Sequence, residues 1–187
     1  MFILTIPQLF VPFETEDGTA VWALPLGDGH IPLIALQDLG FFARWVFDNP
    51  HETSGKNVQV ASQRASGKDI AEAFTRVTGK PAVYIPLSID EYFSSFRGAD
   101  APVAPEAPQG MSFRQNFTGF WNGWKDDIVH RDMEWLKSIH PGLRSVESWM
   151  REHEYVGARK GLLKNREDHD GVTLNYDKVK ELLASKL

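Results

Sequence analysis

The chain has 187 residues, 42% of them hydrophobic and 12% aromatic, which is enough apolar material for the buried core of a globular domain. Its 25 acidic and 20 basic residues give a formal net charge of -5, and it has no cysteine. A general nucleic-acid binder needs a basic face, and disulfides, thiolate metal sites and cysteine nucleophiles all need cysteine, so these classes are excluded. No apolar run approaches the roughly 20 residues of a membrane-spanning helix. The N-terminus also lacks the basic residues of a signal peptide, so we expect a protein of the cytoplasm, with the nucleus as an alternative.

The first 50 residues contain two predicted strands and one helix. The strands are Val21–Leu26 and Ile31–Leu36, separated by the turn residues Gly27-Asp28-Gly29, which indicate a hairpin. Asp38 has the residue type and position of a helix N-cap, and the apolar spacing after it predicts a helix to about Asn49.

The next 50 residues repeat the alternation of strand and helix. Val58–Ala61 and Ala82–Ile85 are predicted strands. Ser66–Asp69 and Ser88–Glu91 have the pattern of capping boxes, so each is expected to begin a helix, the first of which ends at Gly79.

This order predicts an α/β fold with a few mostly parallel strands, since a crossover helix between strands is typical of parallel pairing. Parallel strands need cover on both faces and neighbours on both edges. Two or three such strands make a poor independent sheet, which indicates an incomplete domain.

The second half is predicted to be mainly helical. Residues 98–110 contain three prolines with alanines between them and are expected to form an extended loop. Further helices are predicted at about 131–139, 146–153 and 176–187. Before them lies a strongly amphipathic segment whose apolar face consists of Phe113, Phe117, Phe120, Trp121, Trp124 and Ile128.

Two interpretations of this aromatic face stay open. A stripe at helical spacing is how an ordinary helix packs onto a core, and this is the favoured interpretation. In the alternative the face covers an apolar pocket, whose wall would be Phe113, Phe117 and Trp121.

Glycines and a tyrosine–lysine pair have the spacing of dehydrogenase motifs. Gly27-x-Gly29 begins like a dinucleotide fingerprint, but the third glycine position is Pro32 and a strand follows where a helix is required. Tyr176 and Lys180 have the spacing of the short-chain dehydrogenase pair, in which the lysine lowers the tyrosine pKa. Their position near the C-terminus, with no nucleotide loop upstream, favours a chance match.

Other polar clusters are interpreted as structural. His130-Arg131-Asp132 resembles a kinase catalytic loop but lacks its partner motifs. The six histidines include no pair at the spacing of a helical zinc site, and each is predicted to be a surface or packing residue. Asp126-Asp127 is interpreted as a solvated helix end.

Several segments in a fixed order carry a resemblance to a known family. They are Ile31-Pro32-Leu33, Asp38-Leu39-Gly40-Phe41-Phe42, Gly55-Lys56-Asn57-Val58, Ser66–Gly79, Ala82–Phe96, Phe113-Arg114-Gln115-Asn116-Phe117, Arg131-Asp132 and Ile139-His140-Pro141-Gly142. Over about residues 1–155 the chain resembles the NmrA-like family of atypical short-chain dehydrogenases.

The resemblance implies an NAD(P)-binding Rossmann-like domain and a smaller C-terminal part that forms a cleft over the nicotinamide. The family's glycine-rich phosphate loop lies near its N-terminus, and no such loop occurs in these 187 residues. The chain is therefore interpreted as the C-terminal portion of such a protein. Residues 1–97 would be the later part of the Rossmann-like domain, 98–110 the proline-rich loop and 111–187 a helical C-terminal subdomain with its tail.

Site residues also follow from the resemblance. Phe2 and Thr5 match the family's Phe-Met-x-Asn loop, which passes near the nicotinamide, so they are the candidate cofactor-binding residues. The expected cofactor is NADP or NAD, or none for this chain alone. Asp38 matches the family's Asp-x-Gly pair and is interpreted as a helix cap.

Three functions are compatible with these observations. The first is an incomplete NAD(P)-dependent oxidoreductase domain, with a small-molecule substrate and little or no catalysis by itself. The second is a non-catalytic module that senses dinucleotides or binds a protein partner. The third is an inactive remnant. The sequence assigns no catalytic residue.

Overall fold

Short strands and helices alternate through most of the chain. The computed structural model describes residues 11–104, 106, 109–158 and 172–187. The strands are β1 (Phe13–Glu14), β2 (Ala20–Leu24), β3 (Ile31–Leu33), β4 (Gln63–Ala65), β5 (Ala82–Pro86), β6 (Phe96–Arg97) and β7 (Thr173–Leu174). The helices are α1 (Leu36–Asp48), α2 (Pro50–Thr53), α3 (Gly67–Thr78), α4 (Ile89–Ser94), α5 (Phe113–Lys125), α6 (Met133–Ile139), α7 (Val146–Glu152) and α8 (Tyr176–Ala184).

The strands form small mixed sheets. β2 and β5 pair in parallel, in register from Ala20 opposite Ala82 to Leu24 opposite Pro86, and β1 adds an antiparallel strand on the other side of β2. β3 pairs with β4 and β6 with β7, both antiparallel. The predicted α/β class is confirmed, but among the strands of the described residues only β2 and β5 have the parallel pairing that was expected of most strands. The β1–β2 connection is a tight turn, which permits only antiparallel pairing.

The two capping boxes predicted from the sequence are present at the starts of α3 and α4. The Ser66 hydroxyl accepts the Asp69 N–H while the Asp69 carboxylate accepts the Ser66 N–H, and Ser88 with Glu91 does the same. Gly79 ends α3 in the left-handed conformation, at φ 73°. Each box satisfies N–H groups that a helix start would otherwise leave free.

Two predictions about strands were wrong. Val58–Ala61 is not a strand, and the strand β4 begins later, at Gln63. Val60 and Ala61 instead belong to a small apolar cluster with Phe42 and the α6 residue Leu136. Residues Gly27-Asp28-Gly29 do form a turn, but not a hairpin, since β2 and β3 belong to different sheets.

One core cluster includes residues from both sides of the 98–110 segment. Trp22, Phe74, Phe93 and Trp121 are among its largest wholly buried side chains. Trp22 meets Phe74 edge to face, at 5.1 Å between ring centroids. The division of the chain into 1–97, 98–110 and 111–187 stays a prediction. Of the helices described, none is both long and apolar enough to cross a membrane.

The Asp38 carboxylate joins α1 to two distant parts of the chain. It is wholly buried, accepts the Ser62 hydroxyl at 2.5 Å, and accepts both the Arg144 N–H at 3.0 Å and the Arg144 guanidinium at 2.6 Å. His140 Nε2 lies 3.3 Å from the same carboxylate. Burial by itself would raise the pKa of Asp38, but the hydrogen bonds from Ser62 and Arg144 and the Arg144 charge outweigh it and hold the pKa below its ordinary value.

The interpretation of Asp38 as the helix cap was therefore wrong. The helix begins two residues before Asp38, with Ala35 at the N-cap position and no side-chain cap bond. The Ala35 N–H is bound instead by the Ser62 hydroxyl, at 2.9 Å. Asp38 consequently lies in the first turn and faces inward, where its charge still complements the helix dipole.

We expect Asp38→Ala to lower the free energy of unfolding by about 3 kcal/mol, near the lower end of the loss for a broken buried ion pair. The loss is not larger because Arg144 keeps Glu152 as a partner, at 2.7 Å. Urea unfolding at neutral pH measures this value. The control is Asp48→Ala on the same helix, which removes only the exposed pair with Arg44 and should cost less than about 1 kcal/mol.

The same pair of variants has a pH signature. A carboxyl whose folded pKa is depressed contributes stability above its unfolded pKa of about 3.9 and loses it as pH falls through the folded pKa. The gap between wild type and Asp38→Ala should therefore narrow in acid. Equal urea midpoints for wild type and Asp38→Ala at pH 7 would contradict the assigned role.

Candidate functional site

The carboxyl ends of β2 and β5 lie side by side, and this edge is where open α/β sheets bind ligands. One hydrogen bond fixes the segment after β2 there, and another fixes the last residue of β2 itself. Tyr84 donates its hydroxyl to the Gly27 carbonyl at 2.9 Å, and the Leu87 N–H donates to the Leu24 carbonyl at 3.0 Å. Burial raises the pKa of the Tyr84 phenol to about 12, so it stays a donor at neutral pH.

The C-terminal end of α5 packs directly on this segment. The His30 N–H donates to the Trp124 carbonyl at 3.2 Å. A Cβ at Gly29 would overlap the backbone of Trp124 and Lys125. Gly29 is therefore required for the close approach of two backbones and not for a phosphate. The sequence pattern Gly27-x-Gly29 has a packing explanation, and the edge is closed by α5 at this point.

Three charged side chains meet beside this contact. Asp127 follows α5 with φ 52°, a left-handed conformation that side chains rarely adopt. Its carboxylate accepts the His30 N–H at 3.1 Å, lies 3.0 Å from His30 Nδ1, and accepts Arg64 Nη2 at 2.5 Å. Burial would raise the pKa of Asp127, but the hydrogen bond and charge of His30 and the charge of Arg64 outweigh it and lower the pKa.

The ionised Asp127 carboxylate thus links the end of α5 to His30, just before β3, and to Arg64 in β4. The sequence interpretation of Asp126-Asp127 as a solvated helix end missed this ion pair, and the prediction that His30 is a surface or packing residue named no partner for it. The only sequence signal was the glycine beside His30. These groups lie 97 and 63 residues from Asp127, so helical or strand periodicity could not connect them.

The three residues of the predicted pocket wall, Phe113, Phe117 and Trp121, differ in how deeply they are buried. Trp121 is wholly buried and packs edge to face on Tyr92, at 5.2 Å between centroids. Phe113 and Phe117 are half-buried and lie 4.4 Å apart, packed against the main core. A ligand that touches the wall could thus reach the two phenylalanines but not Trp121. Whether they line a pocket stays a prediction.

The remaining members of the aromatic face follow the same division. Trp124 is buried, whereas Phe120 is exposed and Ile128 lies beyond the end of α5 and is also exposed. The favoured interpretation of the face, packing onto the core, therefore describes its central tryptophans.

The other candidate residues lie elsewhere or outside the described residues. Phe2 and Thr5 fall in the segment before residue 11, which is not described. Tyr176 and Lys180 lie on α8, along a groove that β1 also lines. Among the residues described, no group of three histidine, aspartate or glutamate side chains could hold a metal ion.

The kinase-like triplet has a structural explanation. Arg131 donates to the Val60 carbonyl at 3.3 Å and to the Gln59 side chain at 3.2 Å. Asp132 caps α6 by accepting the Trp135 N–H at 2.9 Å. The triplet therefore joins α6 to the segment that precedes β4.

We expect Gly29→Ala to lower the free energy of unfolding by about 2 kcal/mol, the loss typical of an overpacked site, because its Cβ meets rigid backbone. Thermal or urea unfolding measures the loss. Gly119→Ala in α5 is the matched control, since nothing lies within 4 Å of its new Cβ. It should stabilise the chain by about 0.5–1 kcal/mol through helix propensity. Two variants of equal stability would disprove the close contact.

Comparison with known proteins places the chain in a family. The model of the NmrA-like family matches residues 2–138. An NmrA-like family domain-containing oxidoreductase of Penicillium ochrochloron, ptmS, is 24% identical over 151 residues, covering 74% of this chain and 44% of the relative. Another, FrzB of a Cladobotryum species, is 30% identical over 84 residues, covering 42% of this chain and 25% of the relative.

Solved structures show the same fold. The crystal structure of NmrA, a negative transcriptional regulator, has a TM-score of 0.57 at 16% identity, covering 77% of this chain and 46% of that chain. The complex of that regulator with NAD has a TM-score of 0.56, also at 16% identity and with the same coverage. The chain spans less than half the length of these relatives. The resemblance seen in the sequence is confirmed: the chain belongs to the NmrA-like family.

Proposed function

We propose that this chain is the substrate-side part of an NmrA-like NAD(P)-binding protein of the oxidoreductase type. By itself it binds dinucleotide weakly or not at all and has little or no catalytic activity. The chemistry of the complete protein is hydride transfer with NADP or NAD, held mainly by a separate glycine-rich half. The observation that carries the proposal is the acidic first turn of every described helix that begins within three residues of the end of a strand.

A dinucleotide pyrophosphate binds where a helix N-terminus presents free N–H groups and a positive dipole end. In the described part of this chain, each helix that begins within three residues of a strand carries its own acid there: Asp38 in α1, Asp69 in α3, Glu91 in α4 and Asp177 in α8. Helix α5, which follows β6 after a longer loop, has no acid in its first turn, and its start is capped by Ser112 and Gln115. The acids of α3 and α4 also accept the N-cap N–H groups. A phosphate at these positions would meet a carboxylate in place of a free donor.

The carboxyl edge of the β2–β5 pair also lacks room for a dinucleotide pyrophosphate. In dinucleotide-binding folds a glycine there lets a backbone approach the pyrophosphate. Here the space beside Gly29 is filled by the backbone of α5, and the Lys125 side chain packs beside Gly27. These residues do not fit a pyrophosphate, so we derive no catalytic step through a cofactor on this chain.

The test is the thermal unfolding of the chain with and without NADPH or NADH. Selective binding at a hundredfold excess over Kd would add about 2.7 kcal/mol, or several degrees in Tm at this size. We expect no shift. The negative transcriptional regulator that has been crystallised with NAD, melted with NADH and NAD, is the control that validates the assay.

Each result has a distinct consequence. A clear shift for this chain would overturn the proposal, because it would require a dinucleotide site without a glycine-rich loop. A shift without turnover of any carbonyl substrate would favour the alternative function, a dinucleotide-sensing or protein-binding regulatory module. A cooperative melt with no shift supports the proposal.

A further inference from the structure

Helix α1 carries an apolar face that nothing in the described structure covers. Leu36, Leu39 and Phe47 are 60%, 42% and 82% exposed. Gly40 and Ala43, also exposed, lie between them. At 100° per residue, all but Leu39 fall within an arc of about 60°. Leu39 borders this arc on one side, and on the other lies the exposed Arg44, which is paired with Asp48 and is not counted with these five. No member of this set, the α1 face, carries a charge, whereas solvent-exposed helix faces are ordinarily polar.

The opposite side of α1 is firmly anchored. Asp38 and Phe42 are both buried and lie roughly half a turn away from the α1 face. Asp38 is tied to Ser62 and Arg144, and Phe42 packs edge to face on His140 at 5.9 Å between centroids. The α1 face is therefore held in a fixed orientation toward the outside.

The glycine at its centre indicates a close contact with another backbone. Nothing lies within 4 Å of the position that a Cβ at Gly40 would take. An exposed glycine inside a helix costs about 1 kcal/mol relative to alanine, and no contact within the described residues compensates for it. A partner that packs closely on α1 would explain both the glycine and the small residue at Ala43.

We infer that the α1 face docks the dinucleotide-binding half of an NmrA-like protein. This inference rests on the proposed function. The relatives are more than twice as long as the part that matches, so over half of each relative lies outside the equivalent of this chain and is available to cover its α1 face. The uncharged α1 face requires an apolar partner surface. A second copy of this chain is the competing occupant.

The absence of cysteine gives a clean test. Leu39→Cys places one thiol at the border of the α1 face, to which a photoactivatable cross-linker is attached. The labelled protein is illuminated in extract of its source organism, and adducts are sequenced by mass spectrometry. We expect peptides from a polypeptide that carries a Gly-x-x-Gly-x-x-Gly loop. Lys68→Cys, on the exposed surface of α3, is the control and should give no such adduct.

A second pair of variants separates docking from folding. Gly40→Arg places a long charge in the α1 face and should abolish the adduct, while Tm of the chain alone stays equal or rises, since the site is open. Gly119→Arg, on an equally open site of α5, should leave the adduct unchanged.

Two results would overturn the inference. One is an adduct joining only two copies of this chain, and the other is no adduct above the Lys68→Cys level. The proposed function fails separately. If the captured polypeptide carries the loop but its complex with this chain shows no Tm shift with NADPH or NADH, the docking surface stands and the dinucleotide function does not.

Discussion

The buried carboxylate of Asp38 is the interaction on which the arrangement of this protein depends. Three segments that are distant in the sequence contribute donors to it: the Ser62 hydroxyl before β4, the Arg144 backbone and guanidinium before α7, and the His140 ring after α6. A charge in an apolar interior is stable only when it is fully paired, so all three segments must be in place at once. The carboxylate therefore converts a short helix with no side-chain cap into a fixed point between the small sheets and the C-terminal helices.

The same use of acids in the first turn supports the proposal that the dinucleotide is held mainly outside this chain. An acid there stabilises a helix start by satisfying N–H groups and complementing the dipole. A phosphate site needs those groups free. A helix start can serve one purpose or the other, and α3 and α4 serve the first. At these two helix starts, the stability given by the capping acid and the binding of a phosphate are thus opposed.

Sequence reasoning succeeded where the determining contacts are local. The two boxes, Ser66 with Asp69 and Ser88 with Glu91, join residues three positions apart, and both form as predicted. The amphipathic segment became α5 for the same reason. Sequence reasoning failed where the partner is distant. Asp38 was assigned to a helix cap from its residue type and position, because its actual partners lie 24 and 106 residues away and local patterns could not reveal them. The ion pairs of Asp127 and the close backbone contact at Gly29 could not be predicted either, since both depend on where α5 meets the segment after β2.

The size of the α1 face sets how strongly it could hold a partner. Burying a large apolar side chain contributes about 1.5–3 kcal/mol, so Leu36, Leu39 and Phe47 together supply several kcal/mol. Association of two separate molecules costs an amount of similar size in lost translational and rotational freedom. Separate halves would consequently bind weakly through this face alone. A peptide link removes most of that cost by raising the effective concentration to the millimolar range. A face of this size therefore suits halves joined in one chain, as in the longer relatives, and in a separate chain it requires additional contacts from the partner.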